Sequence, residues 1–229
     1  MPNRSAQISR YLITLLLPIL IVGGIVRLTA TDAYLRYEYA KDTFPADPFG
    51  FSAQERLQLA SKDVHYVRAH GPEYALALQT LEGAPVYSAR EVSHMVDVRA
   101  VFQALLRAWQ LAFVAAIALG IGLARRRDWP ALAAALQSGG IVTSGLVLSI
   151  ALLAFFAWGF WFNLFHRFFF ESGSWLFNFS DTLIRLFPLQ FWSDATFTIT
   201  LLSLAVGLFT ALVGRLWLIA LDKGPEGIV

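Results

Sequence analysis

Two histidines in otherwise apolar surroundings are the side chains best suited to chemistry in this chain. His94 lies in the segment EVSHMVD, and His166 lies in the aromatic run WGFWFNLFHRFFF. An imidazole has an unperturbed pKa near ~6.5, so it can accept or donate a proton near neutral pH. Asp97 follows His94 by three residues and shares its helical face, where a carboxylate can fix the imidazole tautomer. The two histidines predict acid-base chemistry if folding brings them together.

Other polar groups near these segments have both structural and functional interpretations. Asp181 and Arg185 are spaced as an i,i+4 pair of opposite charge within a short helix bounded by Pro188. Such pairs are more often structural than catalytic. Glu171 could complete a metal site with the two histidines, but the H-x-x-x-H type of spacing is absent, so we predict no metal.

The composition places the chain in a membrane. Of its 229 residues, 57% are hydrophobic and only 15% are charged, whereas a soluble domain has roughly 45–50% apolar and about 25% charged residues. The net charge of +2 comes without a basic stripe, so nucleic acid is not an expected partner. The absence of cysteine excludes disulfides and thiolate chemistry.

Four apolar stretches approach the length of about 20 residues that a membrane-spanning helix needs. They predict a mainly α fold, a four-transmembrane-helix bundle with a small α+β extracytoplasmic domain between the first two spans. The predicted divisions are residues 1–30 (tail and first span), 31–103 (outer domain), 104–124 (second span), 125–139 (cytoplasmic loop), 140–165 (third span), 166–194 (outer aromatic segment) and 195–229 (fourth span and tail).

Basic residues predict the orientation of these spans. Arg4 and Arg10 precede the first span, residues 125–127 are three arginines, and Arg215 and Lys223 end the fourth span. Because cytoplasmic loops are enriched in Lys and Arg, we expect both termini in the cytoplasm of a bacterial cell. The first stretch could be a signal peptide, but it lacks a clean small-x-small cleavage site, so we expect a retained anchor.

The segment 31–103 carries the signals of a folded domain. Ser52 with Glu55 and Ser88 with Glu91 form capping-box patterns, and Glu82-Gly83 suggests a hairpin turn. The helix that opens at Ser88 continues without a breaker into the second span. It therefore places His94 near the outer membrane boundary, at a depth similar to that of His166 at the end of the third span. We expect His65 and His70 to be solvated surface residues.

Three blocks of the chain resemble a bacterial family of four-span integral membrane proteins that includes the lipoprotein intramolecular transacylase, Lit. The most specific block is EVSHMVDV around His94. A second block comprises FHRFFF, Trp175 and DTLIRLFP, and a looser first block runs from Phe44 through DPFGF to ERL. The resemblance covers about residues 37–194, with fitting spacing between the blocks.

This resemblance implies an acyltransferase that acts on a diacylated lipoprotein or lipopeptide in membrane lipid at the outer leaflet. The sn-2 acyl chain of the diacylglyceryl-cysteine would move to the α-amino group of the same cysteine, and no cofactor is needed. The family's functional histidines correspond to His94 and His166. For this chemistry we expect His94, oriented by Asp97, to act as base and His166 as acid or oxyanion partner, and the reverse assignment stays open. The remaining predicted site residues are Asp97, Arg185 and Tyr87 as orienting or oxyanion support, and Trp175, Phe169 and Asp181 as the substrate pocket.

Two other functions are compatible with the same residues. One is a different enzyme acting on outer-leaflet lipids or lipoproteins, in which Asp97 and Asp181 form an acid dyad. The other is a membrane accessory protein without catalytic activity, in which the histidines serve packing and the outer domain binds a partner. The sequence leaves the oligomeric state open.

Overall fold

The structure, a computed structural model, describes residues 4–69 and 72–223. His70, which we predicted to lie on the surface, falls outside the described residues. The described chain is mainly helical, with one two-stranded antiparallel sheet. The elements in chain order are α1 (Arg4–Thr29), α2 (Asp32–Tyr39), α3 (Ala53–Arg68), a 3-10 turn (Glu73–Ala75), β1 (Thr80–Leu81), β2 (Ala84–Pro85), α4 (Ala89–Arg125), α5 (Trp129–Phe156), α6 (Trp158–Phe169), α7 (Thr182–Leu186) and α8 (Leu189–Asp222).

Four of these helices are long and apolar enough to cross a membrane, in agreement with the predicted number: α1, α4, α5 and α8. Between α1 and α4 the chain forms α2, α3, the 3-10 turn and the hairpin. That this segment folds outside the cytoplasm stays a prediction.

The third long helix differs from the predicted span at residues 140–165. It begins at Trp129, within the predicted loop, and ends at Phe156. Ala157 then leaves the helical conformation (φ −143°, ψ 54°), and α6 follows as a separate helix. At 1.5 Å per residue, 28 helical residues extend about 42 Å, which already exceeds the hydrocarbon thickness of about 30 Å. The residues after Ala157 are therefore not needed for crossing, although the apolar pattern does not reveal the break.

The chain divides into two compact units, the first of which contains residues 1–26, 107–152 and 198–229. In its described part, α1 packs on α4 through Trp109, whose Nε1 donates a hydrogen bond of 2.9 Å to the carbonyl of Leu20. Small residues let α5 and α8 approach closely: Gly140 meets the backbone of Gly207 and Ala211. Such small-residue contacts are typical of helix pairs in membranes.

Replacing Gly140 by alanine is expected to destabilise this helix pair by about 1–3 kcal/mol, the usual cost of overpacking. A Cβ atom on Gly140 would lie 2.9 Å from the Cα of Ala211 and closer still to the carbonyl oxygen of Gly207. Gly145→Ala in the same helix is the matched control, because its Cβ would have nothing within 4 Å. Thermal unfolding in detergent measures both variants, and equal melting temperatures for the two would contradict the close contact.

The second unit contains residues 27–106 and 153–197. Its core includes side chains that are almost fully buried, such as Leu35 of α2, Ala60 of α3, Leu76 and Leu186 of α7. Hydrogen bonds between distant segments reinforce it: Gln103 donates to the carbonyl of Val67 at 2.9 Å. This unit carries every site residue that we predicted.

Three local sequence signals in this unit are confirmed. Ser52 and Glu55 form a reciprocal capping box at the start of α3. Ser88 and Glu91 do the same at the start of α4, where each backbone N–H donates to the other's side chain. The hairpin turns at Glu82-Gly83 with positive φ at both residues (51° and 83°), as a two-residue type I′ turn requires.

Candidate active site

The first predicted site residue, His94, lies in the second turn of α4. The capping box fixes the start of this helix, and Glu91 also accepts a 2.8 Å hydrogen bond from the backbone N–H of Leu183 at α7. His94 is three residues beyond Glu91 and is only 9% exposed. Its position is therefore set by a helix whose first turn is anchored to a second element.

His166 lies in the last turn of α6, and a local contact fixes its tautomer. Its Nδ1 is 2.8 Å from the carbonyl oxygen of Phe162, one helical turn earlier. Because a carbonyl oxygen can only accept, Nδ1 carries a proton, and in the neutral imidazole Nε2 then holds the lone pair. Burial lowers the pKa of His166 below its ordinary value, against a smaller opposing effect of the Phe162 carbonyl. The neutral imidazole is the form in which Nε2 can accept a proton.

The structure brings the two histidines to one aromatic side chain, Phe170. The centroid of its ring lies 4.9 Å from that of His94 and 5.6 Å from that of His166. The imidazoles are separated by 72 residues in sequence, yet both contact the same phenyl ring. A substrate group that approaches Phe170 would therefore be within reach of both.

A loop after α6 completes the aromatic wall of the site. Trp175 is 6% exposed, and its ring lies 5.5 Å from the imidazole of His166. Phe177 lies 5.4 Å from His94. The loop turns at Gly173, whose φ of +85° favours glycine. Both imidazoles are thus surrounded by aromatic rings, a setting suited to a lipid substrate.

The predicted contact between Asp97 and His94 is absent. The carboxylate of Asp97 is exposed, and Nδ1 of His94 is buried with no hydrogen-bond partner in the described chain. Three residues of spacing put the two side chains on one broad face, but burial of His94 among aromatic rings separates it from the solvated carboxylate.

Tyr87 contacts a different acidic residue, Asp63 of α3. The Tyr87 hydroxyl donates a buried hydrogen bond of 2.7 Å to Oδ1 of Asp63. Burial raises the pKa of Tyr87 above its ordinary value. Burial also raises the pKa of Asp63 to about 8, in opposition to the Tyr87 hydrogen bond. This buried pair links α3 to the segment that precedes α4, and the hydroxyl proposed for oxyanion support is engaged there.

The protein should lose stability as pH rises because of Asp63. The unfolded carboxyl ionises near its ordinary value of 3.8, whereas the folded one holds its proton up to about 8. The contribution of the protonated Asp63 to the free energy of unfolding is complete below the unfolded pKa of 3.8. It is lost as pH rises from there through the folded pKa of about 8, by up to about 1.4 kcal/mol per pH unit.

Unfolding midpoints at pH 5, 7 and 9 measure this dependence. Asp63→Asn keeps an oxygen acceptor for Tyr87 and should remove most of the pH slope. Asp42→Asn, at an exposed aspartate of the same unit, should leave the slope unchanged. An unaltered slope in Asp63→Asn would show that Asp63 is already ionised in the folded protein.

The predicted ion pair between Asp181 and Arg185 is wrong, because Arg185 binds Asp47 instead. Its Nε donates to Oδ1 at 3.0 Å and its Nη2 donates to Oδ2 at 2.8 Å. Asp181 precedes α7 and accepts a 2.7 Å hydrogen bond from the backbone N–H of Asn178. The Arg185 guanidinium also lies 3.4 Å from the ring centroid of Phe51. Arg185 therefore ties α7 to the segment before α3.

The remaining predicted pocket residue, Phe169, lies at the rim of the aromatic cluster. It is exposed, and its ring lies 5.0 Å from Phe165 and 6.4 Å from Phe170. Within residues 4–69 and 72–223, no group of three or more His, Cys, Asp or Glu side chains is arranged to hold a metal ion.

Besides Phe170, sequence reasoning missed three residues that shape the site. Phe162 could have been found, because it precedes His166 by four residues and so faces it on a helix. Phe177 and Arg90 gave no such signal. Arg90 donates from Nη2 to the carbonyl of Gly173 at 3.2 Å and to that of Leu176, and its guanidinium lies 5.1 Å from the Phe177 ring.

A family model described as lipoprotein intramolecular transacylase Lit matches residues 11–192. The chain belongs to the Lit family. An uncharacterised protein of Aquifex aeolicus is 31% identical over 211 residues, which cover 90% of this chain and 94% of that protein. The resemblance seen in the sequence is thereby confirmed.

Solved structures of the Lit family share the fold. The membrane integral lipoprotein intramolecular transacylase Lit from Bacillus cereus is similar over 96% of this chain and 98% of its own, with a TM-score of 0.80 and 19% identity. A histidine-to-alanine variant of that protein is similar with a TM-score of 0.70 and 20% identity, covering 95% of each chain. With its four apolar helices, this Lit-family chain is a multi-pass membrane protein.

Proposed function

We propose that this protein is a lipoprotein intramolecular transacylase that makes lyso-form lipoprotein with His166 and His94 as its proton-transfer residues. The observation that carries the proposal is the pair of imidazoles at one phenyl ring, one of them buried and the other half-buried with its Nδ1 engaged by a carbonyl and its Nε2 left for the substrate. Membership of the Lit family supports the choice of substrate, a diacylglyceryl-cysteine at the N-terminus of a lipoprotein.

In the proposed reaction the α-amino nitrogen attacks the carbonyl carbon of the sn-2 ester. A C–N bond forms, and the carbonyl electron pair moves onto oxygen to give a tetrahedral intermediate. The bond from carbon to the glyceryl oxygen then breaks, and the C=O bond forms again as an amide. The amine loses one proton and the glyceryl oxygen gains one, so the transfer needs no further reactant. Because both groups belong to one molecule, binding them in the right orientation supplies much of the rate.

We assign the base to His166 and reverse the order favoured from the sequence. An α-amino group has a pKa of about 7.7–8.0, so its proton must be removed for efficient attack near neutral pH. The tautomer fixed by Phe162 and the lowered pKa of His166 support Nε2 of that residue as the acceptor. His94 then gives a proton to the departing glyceryl oxygen. The proton taken up by His166 passes to solvent and His94 regains one, which leaves the pair unchanged overall.

We further propose that the site faces the outer leaflet of a bacterial cell membrane. The arginines at residues 125–127, together with Arg4, Arg10 and Arg215, support cytoplasmic termini by the positive-inside rule. The second unit, which carries both histidines, would then lie on the outer side, where lipoproteins are anchored. The aromatic side chains around His166 suit the interface between lipid and water.

Mass spectrometry of a lipoprotein's N-terminal lipopeptide tests the proposed function. A reporter lipoprotein would be produced with and without this chain in a bacterial host that lacks N-acylation. We expect the diacylglyceryl-cysteine peptide to become an N-acyl, S-monoacylglyceryl peptide of the same total mass, distinguished by its fragment ions. A change in total mass would instead indicate an intermolecular acyltransferase or a lipase.

The same assay separates the two alternative functions. A double variant with Asp97→Asn and Asp181→Asn should keep its activity, and loss of activity in a folded protein would favour the aspartate dyad. An unchanged lipopeptide across several reporter lipoproteins, with the chain present in the membrane, would contradict the transacylase and favour the accessory protein.

A further inference from the structure

The indole N–H of Trp175 is buried without a hydrogen-bond partner in the described chain. Tryptophan Nε1 can only donate, and leaving a buried donor unsatisfied costs the full desolvation of that group. Trp175 is 6% exposed and its Nε1 atom is buried, so bulk water does not satisfy the donor. Its ring lies 5.5 Å from the imidazole of His166, the proposed base. An unsatisfied donor beside a proposed proton acceptor indicates a group that is satisfied only when substrate is bound.

The reaction needs such a donor. The carbonyl oxygen of the ester becomes negatively charged in the tetrahedral intermediate, and preorganised N–H groups are the usual means of stabilising that charge. Of the two donors suggested by the sequence, the Tyr87 hydroxyl is engaged by Asp63 and the Arg185 guanidinium by Asp47. Both donors are therefore occupied by carboxylates that lie outside the pair of histidines.

The loop around Trp175 is held in a way that suits a preorganised donor. Arg90, one helical turn before His94, donates to the carbonyls of Gly173 and Leu176 on either side of Trp175. Its guanidinium also covers the ring of Phe177, which contacts His94. The residue that carries the donor and the helix that carries His94 are therefore connected directly.

We propose that Nε1–H of Trp175 is the oxyanion donor, a catalytic group that donates a hydrogen bond to the carbonyl oxygen of the sn-2 ester in the proposed transacylation. As the C–N bond forms, the carbonyl electron pair moves onto oxygen and accepts a hydrogen bond from the indole. The indole keeps its proton throughout. When the glyceryl oxygen leaves, the C=O bond forms again and the hydrogen bond weakens. This inference rests on the proposed function and adds a third residue to its machinery.

An isosteric replacement tests the donor without disturbing the packing. β-(3-Benzothienyl)alanine at position 175 keeps the bicyclic ring and substitutes sulfur for the N–H. We expect kcat to fall by about 10²–10³-fold, the usual effect of removing one oxyanion donor. KM should change little, because the hydrogen bond forms mainly in the transition state. The same replacement at Trp192, an exposed tryptophan of the same unit, is the control and should leave kcat unchanged.

A binding measurement gives a second readout that a packing role would not produce. A lipopeptide with a phosphonate in place of the sn-2 ester mimics the charged intermediate. The isostere at position 175 should weaken its binding by a factor similar to the loss in kcat, while binding of the unreactive N-acetylated diacyl lipopeptide should stay the same. Equal loss of affinity for both ligands would indicate a packing role and overturn the assignment.

The outcomes distinguish this inference from the function on which it rests. Turnover by the unsubstituted protein together with undiminished turnover by the isosteric variant would overturn the role of Trp175 alone. Absence of turnover by the unsubstituted protein would contradict the transacylase itself, and the oxyanion role with it.

Discussion

Alanine in place of His166 is expected to lower the acyl-transfer rate by about 10²–10⁴-fold, the contribution usual for a general acid-base residue. The imidazole has its Nδ1 engaged by the Phe162 carbonyl and its Nε2 available, so the substitution removes the proposed proton acceptor. The rate is measured with protein reconstituted in vesicles and a synthetic diacylated lipopeptide as substrate. The fragment ions of the product report its formation over time.

His65→Ala is the matched control, because that histidine lies in the same unit, is largely exposed and contacts Asp32 at 2.8 Å. Its removal should leave the rate unchanged. The pH profile offers a further check: burial lowers the pKa of His166, so activity should persist as pH falls through the ordinary imidazole value of about 6.5. A folded His166→Ala protein with full activity would contradict the proposed base.

Asp47→Ala is expected to destabilise the protein by about 3–5 kcal/mol, the usual cost of breaking a buried ion pair by removing one partner. The Asp47 side chain is 0% exposed and that of Arg185 is 12% exposed. The hydrogen bond from Arg185 holds the pKa of Asp47 below its ordinary value, because it stabilises the charged carboxylate. Without the Asp47 carboxylate, the Arg185 guanidinium stays charged but is largely shielded from water, which destabilises the folded state. Chemical or thermal unfolding in detergent measures the loss.

Two further variants make this prediction specific to the pair. Asp181→Ala should cost about 1 kcal/mol, because it removes one hydrogen bond to the Asn178 backbone. Arg185→Met in the Asp47→Ala background should recover part of the stability, since it removes the uncompensated charge. A larger loss for Asp181→Ala than for Asp47→Ala would mean that Arg185 pairs with Asp181, as its helical spacing suggested.

Local rules predicted those parts of the fold that depend on a few adjacent residues. The capping boxes at Ser52 and Ser88, the turn at Glu82-Gly83 and the number of long apolar helices are all confirmed. Each follows from hydrogen bonds within a turn or from the apolar length that a bilayer requires. The end of α5 at Phe156 was missed, because uninterrupted hydrophobicity does not show how much of a run crosses the membrane.

The candidate site depends both on residues that the sequence identifies directly and on contacts that only folding creates. The sequence by itself determined the membrane class and family of the chain, and it pointed to His94 and His166, because composition and motif spacing are carried by the chain directly. Only the tertiary structure decided which residues these and the other site residues contact: Phe170 lies against both imidazoles, Asp47 binds Arg185, and Asp63 binds Tyr87. The physical reason is that a charged or hydroxyl side chain, once buried, takes the partner that packing brings closest in space. Helical spacing alone shows which residues share a face, and burial then decides which of them meet.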